Sequence, residues 1–423
     1  MARRPPVLLT QAGFYGTLAA VRCLGRAGLE VAMADAERRA PALWSRFVTH
    51  REHAPPDSRT EAFIAWLVDF GRRRPGHVLL ATSDELAWLY ARHREQLRAH
   101  FLLAQPALDV ITALLDKRRL ADHAREVGLE PPATWYPQCD ADVARLAPEL
   151  PFPVLVKPVT QVLSARHLKG RRVESAAELG PAWREFARDG YAPAIVEVDP
   201  SVVHPMVQAY LPQAEAGIES VSGFLDETGA RFVVRGSRKV LQRPRRVGVG
   251  VCFEAMPVDA RVAEGVRALC RRVGYHGVFE AEFIRHEGRA RLIDFNPRFY
   301  GQMAFDIARG VKLPLLAYAE AVGDRALLDE TLAEAERAGD ALAWRYCHRV
   351  ALGELVGPQR LTGAMSGDEA RRWQAWVRAA DGKLVDPVLD RDDWRPAAMD
   401  LAERIAHAAR HPRSWVRAIA LNR

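Results

Sequence analysis

Between Gly277 and Arg298 the chain reads GVFEAEFIRHEGRARLIDFNPR, and its oxygen-bearing side chains recur at a spacing that could hold a metal ion. Side chains two apart on a β-strand share a face, which puts Glu280 with Glu282, and Asp294 with Asn296 and Arg298. A turn at His286-Glu287-Gly288 folds the two runs into a hairpin. In the plain register Glu282 then meets Asp294 and Asn296. Two carboxylates and a carboxamide oxygen suit a hard cation such as Mg²⁺, which takes oxygen donors and keeps substrate phosphates in its shell. Charged and apolar residues also alternate in any half-exposed hairpin, so spacing alone leaves that second reading open.

Other chemically able residues lie upstream. The apolar run FPVLVKP ends at Lys157, an awkward place for an ammonium unless an anion meets it. The following loop, Val159 to Arg172, is polar and basic, with Ser164, Arg166, His167, Lys169 and Gly170. VQAYLP reads as a short strand stopped by proline and carries Gln208, Tyr210 and Leu211. Arg238 and Lys239 come after a hairpin. The cluster Arg243-Pro244-Arg245-Arg246 is explained by an anionic small substrate as well as by a nucleic acid, and no DNA-reading motif accompanies it. Spacing suggests no Ser/His/Asp or Cys/His nucleophile set.

The elements that would position these residues begin with a βαβ unit: strands at 7–9 and 29–34 around a helix from Thr17 to Ala27. Gly13 and Gly16 stand at the first strand-to-helix turn, where backbone can approach a ligand, but the dinucleotide fingerprint GxGxxG is absent. A helix from Glu61 to Arg73, a strand from His77 to Ala81 and a helix to Leu97, capped by Ser83 or Asp84, complete an open α/β domain. Leu114 to Val127 reads as one helix closed by Gly128. Residues 218–225 and 230–235 pair around a polar turn, a glycine-bearing segment runs from Arg245 to Gly250, and a helix from Ala260 to Val273 leads into the acidic hairpin. A helical region from Met303 to Val322 and a helix-prone remainder follow. Its tryptophans, Trp344, Trp373, Trp376, Trp394 and Trp415, read as packing residues.

A chain of 423 residues exceeds one ordinary core. Five cysteines without CxxC spacing fit a reducing compartment and neither a disulfide framework nor a zinc site. No apolar run suits a signal peptide or a membrane span, so the cytoplasm is the expected location. The net charge of +7 is spread over arginines along the whole length.

The order of parts resembles the ATP-grasp superfamily: an α/β domain, a helix opened by Asp116-Lys117, a strand ending in K-P, Q-x-Y-L-P, a hairpin, then E-x(11)-D-x-N-P-R. Within it the chain is similar to the carboxylate-amine ligase-like branch that includes D-aspartate ligase, over residues 5 to 325. The resemblance implies an α/β protein with an α+β ATP-binding part. A Rossmann-like domain is expected at 1–112, and an ATP-grasp domain at 113–325 made of a lysine-bearing subdomain (113–205) and a metal-binding subdomain (206–325). A helix-rich C-terminal extension would occupy 326–423. By position it implies ATP phosphates on Lys117 and Lys157 under a loop containing Ser164. It places adenine at Gln208, Tyr210 and Leu211 and ribose at Glu219. Mg²⁺, or Mn²⁺ in its place, falls on Glu282, Asp294 and Asn296, with Glu280 as support. Arg298, Lys239 and Arg238 would face the reacting phosphate or carboxylate. Two features depart from the family pattern: Asp294 stands where a glutamate is usual, and the phosphate loop lacks a glycine-rich run. The implied activity is amide or peptide bond formation through an acyl-phosphate, releasing ADP and phosphate, with small-molecule carboxylate and amine substrates. No nucleic acid is expected, and a homodimer is compatible. Carboxylation through carboxyphosphate, and a nucleotide- or nucleic-acid-binding protein without ligase activity, are the alternatives. The chain shows no biotin-carrier segment.

Overall fold

The computed structural model describes residues 4–215, 217–243 and 248–416; Pro244 to Val247, which hold most of the basic cluster and the start of the glycine-bearing segment, lie outside the described residues. Strands β1 (Val7–Thr10), β2 (Val31–Asp35), β3 (Val48–His53), β4 (His77–Leu79) and β5 (Phe101–Leu102) form a parallel sheet in the order β3-β2-β1-β4-β5. β1 and β4 are buried throughout and β2 in all but its last residue, as expected of parallel strands with helices on both faces. Gly16 faces the backbone of Tyr300. A Cβ there would lie 2.5 Å from the backbone oxygen of Tyr300, so the glycine lets the first helix, Tyr15–Arg26, press against the segment that follows the acidic hairpin.

The expected single helix from Leu114 to Val127 is two, Leu108–Leu115 and Lys117–Glu126. Asp116 breaks the run because its carboxylate accepts from the backbone N–H groups of Arg118 at 2.8 Å and Arg119 at 3.3 Å, capping the second helix. Lys117 therefore sits at a helix start, and its own N–H donates to the Val159 carbonyl at 2.9 Å, just past the K-P strand.

A second, antiparallel sheet contains β6 (Thr134–Trp135), β7 (Val154–Lys157), β8 (Arg171–Val173) and β9 (Met206–Ala209) in the order β6-β9-β7-β8. Val154, Val156, Val173 and Val207 pack with Leu179, Ala182, Trp183 and Phe186 of helix Ala176–Ala187. The opposite face carries Leu155, Lys157 and Gln208, because Leu155 is paired with Gln208 and Lys157 follows two residues on.

The largest sheet has seven strands: β10 (Ile218–Leu225), β11 (Phe232–Arg243), β12 (Val249–Met256), β13 (Gly277–His286), β14 (Arg289–Asn296), β15 (Arg345–Cys347) and β16 (Leu384–Val385), in the order β14-β13-β10-β11-β12-β15-β16. Phe279, Ala281 and Phe283 share a core with Val262, Val266 and Leu269 of helix Ala260–Val273. Strand alternation sends Glu280 and Glu282 to the other face. The C-terminal part is helical, but it also supplies β15 and β16 to this sheet and returns to the first domain, where the buried Arg22 donates to Asp393 at 2.9 Å. Among the described residues no helix is long and apolar enough to cross a membrane, and none of the five cysteines is disulfide-bonded.

Candidate active site

In the β13–β14 hairpin Glu282 stands directly opposite Asp294 and Glu280 opposite Asn296. A bulge follows Glu282, so that Phe283 opposes Leu292 and Ile293 is the extra residue. The bulge bends the strand where the acids meet. Lys117 Nζ donates to Asp294 Oδ1 at 2.6 Å, and Lys239 Nζ lies 3.5 Å from Glu282 Oε1. Glu280 is buried beneath them and accepts from Ser220 Oγ at 3.0 Å, from Asn296 Nδ2 at 3.1 Å and from Gln302. Arg298 donates to Asp84 and, at 2.8 Å, to Asn296 Oδ1.

The electrostatics follow from burial and crowding. Burial pushes the Asp294 carboxyl up, but the ammonium groups of Lys117 and Lys157 outweigh it and hold the group below the usual carboxylate range. Lys157 is pushed down to about 7 by burial and then by Lys117, against the pull of Asp294 and Glu282. Burial, followed by the Glu282 charge, pushes Glu280 up to about 7.

The structure places the remaining sequence-derived residues in two groups. Gln208 lies on the face of the second sheet that bears Lys157 and donates to Thr134 Oγ1 at 3.0 Å. Leu211 packs with Ile218 and Ile284 at the passage between the two sheets, and Tyr210 lies under the Arg172 guanidinium, 4.4 Å from its ring centre. Glu219, Arg238 and Ser164 are not brought to the acids. Glu219 is paired with Phe283 and Arg238, on the face turned away from Glu282, and accepts from Arg285 at 2.7 Å. Arg238 is exposed on that face and donates to Glu254 at 3.0 Å. The adjacent Ser220 and Lys239 take the site face, because neighbours along a strand alternate. Ser164 Oγ donates to Asp189 at 3.0 Å and braces its own loop by accepting from the His167 N–H at 3.1 Å.

Sequence reasoning missed Asp84, Ser220 and Gln302. Asp84 reads as a helix start and the other two carry no spacing signal; they reach the site through tertiary packing. It also left Lys169 unassigned, although that ammonium feels Lys239, Glu282 and Asp294.

No three His, Cys, Asp or Glu side chains among the described residues form a metal cluster by themselves. Glu282, Asp294 and the Asn296 carboxamide make a smaller oxygen set, which fits a Mg²⁺ ion that completes its shell with phosphate and water. The charge balance agrees. Lys117 and Lys239 each pair with one of the two carboxylates, and Lys157 is a further cation-forming group that a polyanion would hold in its charged form.

No protein-family model matches the chain. The carbamoyl phosphate synthase large chain of Gemmatimonas aurantiaca is 27% identical over 273 residues, which are 62% of this chain and 22% of that protein. The chain spans less than a third of the length of the curated relatives it matches. Among solved structures, the biotin carboxylase–β,γ-ATP complex from Campylobacter jejuni superposes with a TM-score of 0.59 at 15% identity, covering 76% of this chain and 72% of that one. The L-amino acid ligase from Bacillus licheniformis gives 0.55 at 15% identity, covering 76% and 75%. The chain shares its fold with these structures over 76% of its length.

Proposed function

We propose that the protein is an ATP-dependent carboxylate-amine ligase acting on small molecules through an acyl-phosphate. What supports this is the pairing of Lys117 and Lys239 with the Asp294 and Glu282 carboxylates, with Lys157 and Gln208 on one face of the neighbouring sheet. Lys117, Lys157 and Lys239 would bind and orient the triphosphate, Gln208 and Leu211 the adenine. Glu282, Asp294 and Asn296 would hold Mg²⁺, which neutralises phosphate charge when bound. The substrate carboxylate oxygen attacks the γ-phosphorus, the bond to the β-phosphate oxygen breaks, and ADP leaves. The amine nitrogen then attacks the acyl carbon, the acyl C–O bond breaks and phosphate departs with its electron pair, while the surplus amine proton passes to water. Phosphoryl transfer needs positioning and charge neutralisation more than covalent help, and the site offers both.

Carboxylation through carboxyphosphate is the second reading, favoured by the biotin carboxylase neighbour and the carbamoyl phosphate synthase relatives. Five cysteines without CxxC spacing support a cytoplasmic location for this reading. A phosphate-release screen with ATP, Mg²⁺ and pooled carboxylates, amines and bicarbonate, each pool omitted in turn, separates the readings. Release that needs both a carboxylate and an amine is expected. Release with bicarbonate and no other carboxylate would favour the second reading, and no release with any pool would overturn both.

A further inference from the structure

We propose that Asp84 of the first domain is a positioning residue that aims Arg298 at the phosphoryl group in transfer, an inference that rests on the ATP-dependent reading above. Asp84 opens helix Asp84–Arg92, but the cap of that helix is Ser83, whose Oγ accepts from the Leu86 N–H at 3.2 Å. The Asp84 carboxylate is therefore free of capping duty and receives Arg298 Nε at 2.9 Å and Nη2 at 3.1 Å, the two-pronged geometry that fixes a guanidinium plane. Arg298 Nη2 also donates to Asn296 Oδ1 at 2.8 Å, and Nη1 donates to the Phe299 carbonyl at 2.9 Å.

A guanidinium has five N–H donors, and these contacts use four. The remaining N–H is on Nη1. Arg298 thus offers one donor to an incoming oxygen, in a direction set by protein groups and not by the ligand. The first domain supplies two further restraints: the Phe14 ring centre lies 5.7 Å from the guanidinium carbon, and Ala81 accepts from the Phe299 N–H at 3.3 Å. The bond to Asn296 does not involve Asp84, so it stays available to Arg298 when the fork is weakened.

MgADP, with and without aluminium fluoride as a mimic of the phosphoryl group in transfer, tests this by calorimetry without any acceptor. Wild-type protein is expected to bind MgADP and to bind it more tightly with the fluoride. Asp84→Asn should keep its affinity for MgADP and its thermal midpoint but lose at least about 10-fold of the fluoride-dependent gain, less than the roughly 100-fold of an outright loss of one transition-state donor because Arg298 is still present. Asp84→Glu, which keeps the charge but displaces the fork by one methylene, should lose part of the gain and decides the matter if Asp84→Asn does not fold. A full gain in either variant, or a wild-type protein that binds MgADP with no gain, would overturn the proposal. So would parallel loss of MgADP affinity and thermal midpoint, the mark of a purely structural pair. A wild-type protein that binds no MgADP would instead overturn the ATP-dependent reading, and this proposal with it.

Discussion

Lys157 has the most testable electrostatics in the cleft. Its ammonium titrates near 7 in the folded protein, against an ordinary lysine value of 10.5. Between those values the unfolded chain holds a proton that the nucleotide-free folded protein lacks, so this residue makes stability rise with pH from about 7 to about 10.5. A bound triphosphate restores the charge, so MgATP binding at pH 8 should take up a proton. Calorimetry in buffers of different ionisation enthalpy measures that uptake, and Lys157→Met should abolish it; equal uptake in the variant would remove Lys157 from the phosphate site. Asp294→Ala and Asn296→Ala should each lower turnover by at least about 100-fold in the phosphate-release assay while leaving the fold intact, because each would remove one of the proposed Mg²⁺ donors. The Glu282–Asp294 pair was legible because strand period and one tight turn specify it locally. Arg238 and Glu219 lie on the face turned away from the acids, a placement decided by one strand position. Asp84 was not legible, since its partner Arg298 is 214 residues away.

At the scale of elements, Asp116 joins helix capping to the placement of Lys117, for which phosphate binding is proposed. Asp116→Ala should cost about 1 kcal/mol or more in urea unfolding and weaken MgATP binding, because the cap fixes the helix start that carries Lys117. Gly16→Ala should destabilise by about 1–3 kcal/mol, since the added methyl meets the Tyr300 backbone as well as the Phe14 ring; an unchanged thermal midpoint would contradict that packing. The buried apolar strands β1, β2 and β4 and the hairpins announced themselves by composition and turn residues. β3, VTHREH, has one apolar residue and alternates in exposure at a sheet edge, so its strand state comes from pairing with β2. β5 and β16 are two residues each and β15 three, too short for any period to show.

At the scale of the whole molecule, the C-terminal part was expected as a helical extension and acts as a strap. Arg22 gives four hydrogen bonds to Pro387, Val388 and Asp393, joining the first domain to a segment whose strands β15 and β16 extend the sheet that carries the acids. Asp393→Ala would leave the buried guanidinium with Asp390, 4.0 Å away, as its remaining counter-charge and should cost about 3 kcal/mol in thermal or urea unfolding. The fold class was legible from the order of parts; the strap was not, because it depends on contacts between the two ends of the chain. The measurement that bears most directly on the central claim is chromatography of the nucleotide products after incubation with ATP, Mg²⁺ and the carboxylate and amine pools. ADP and phosphate in equal amounts, formed only when a carboxylate and an amine are both present, is the expected result; AMP with pyrophosphate would contradict the account.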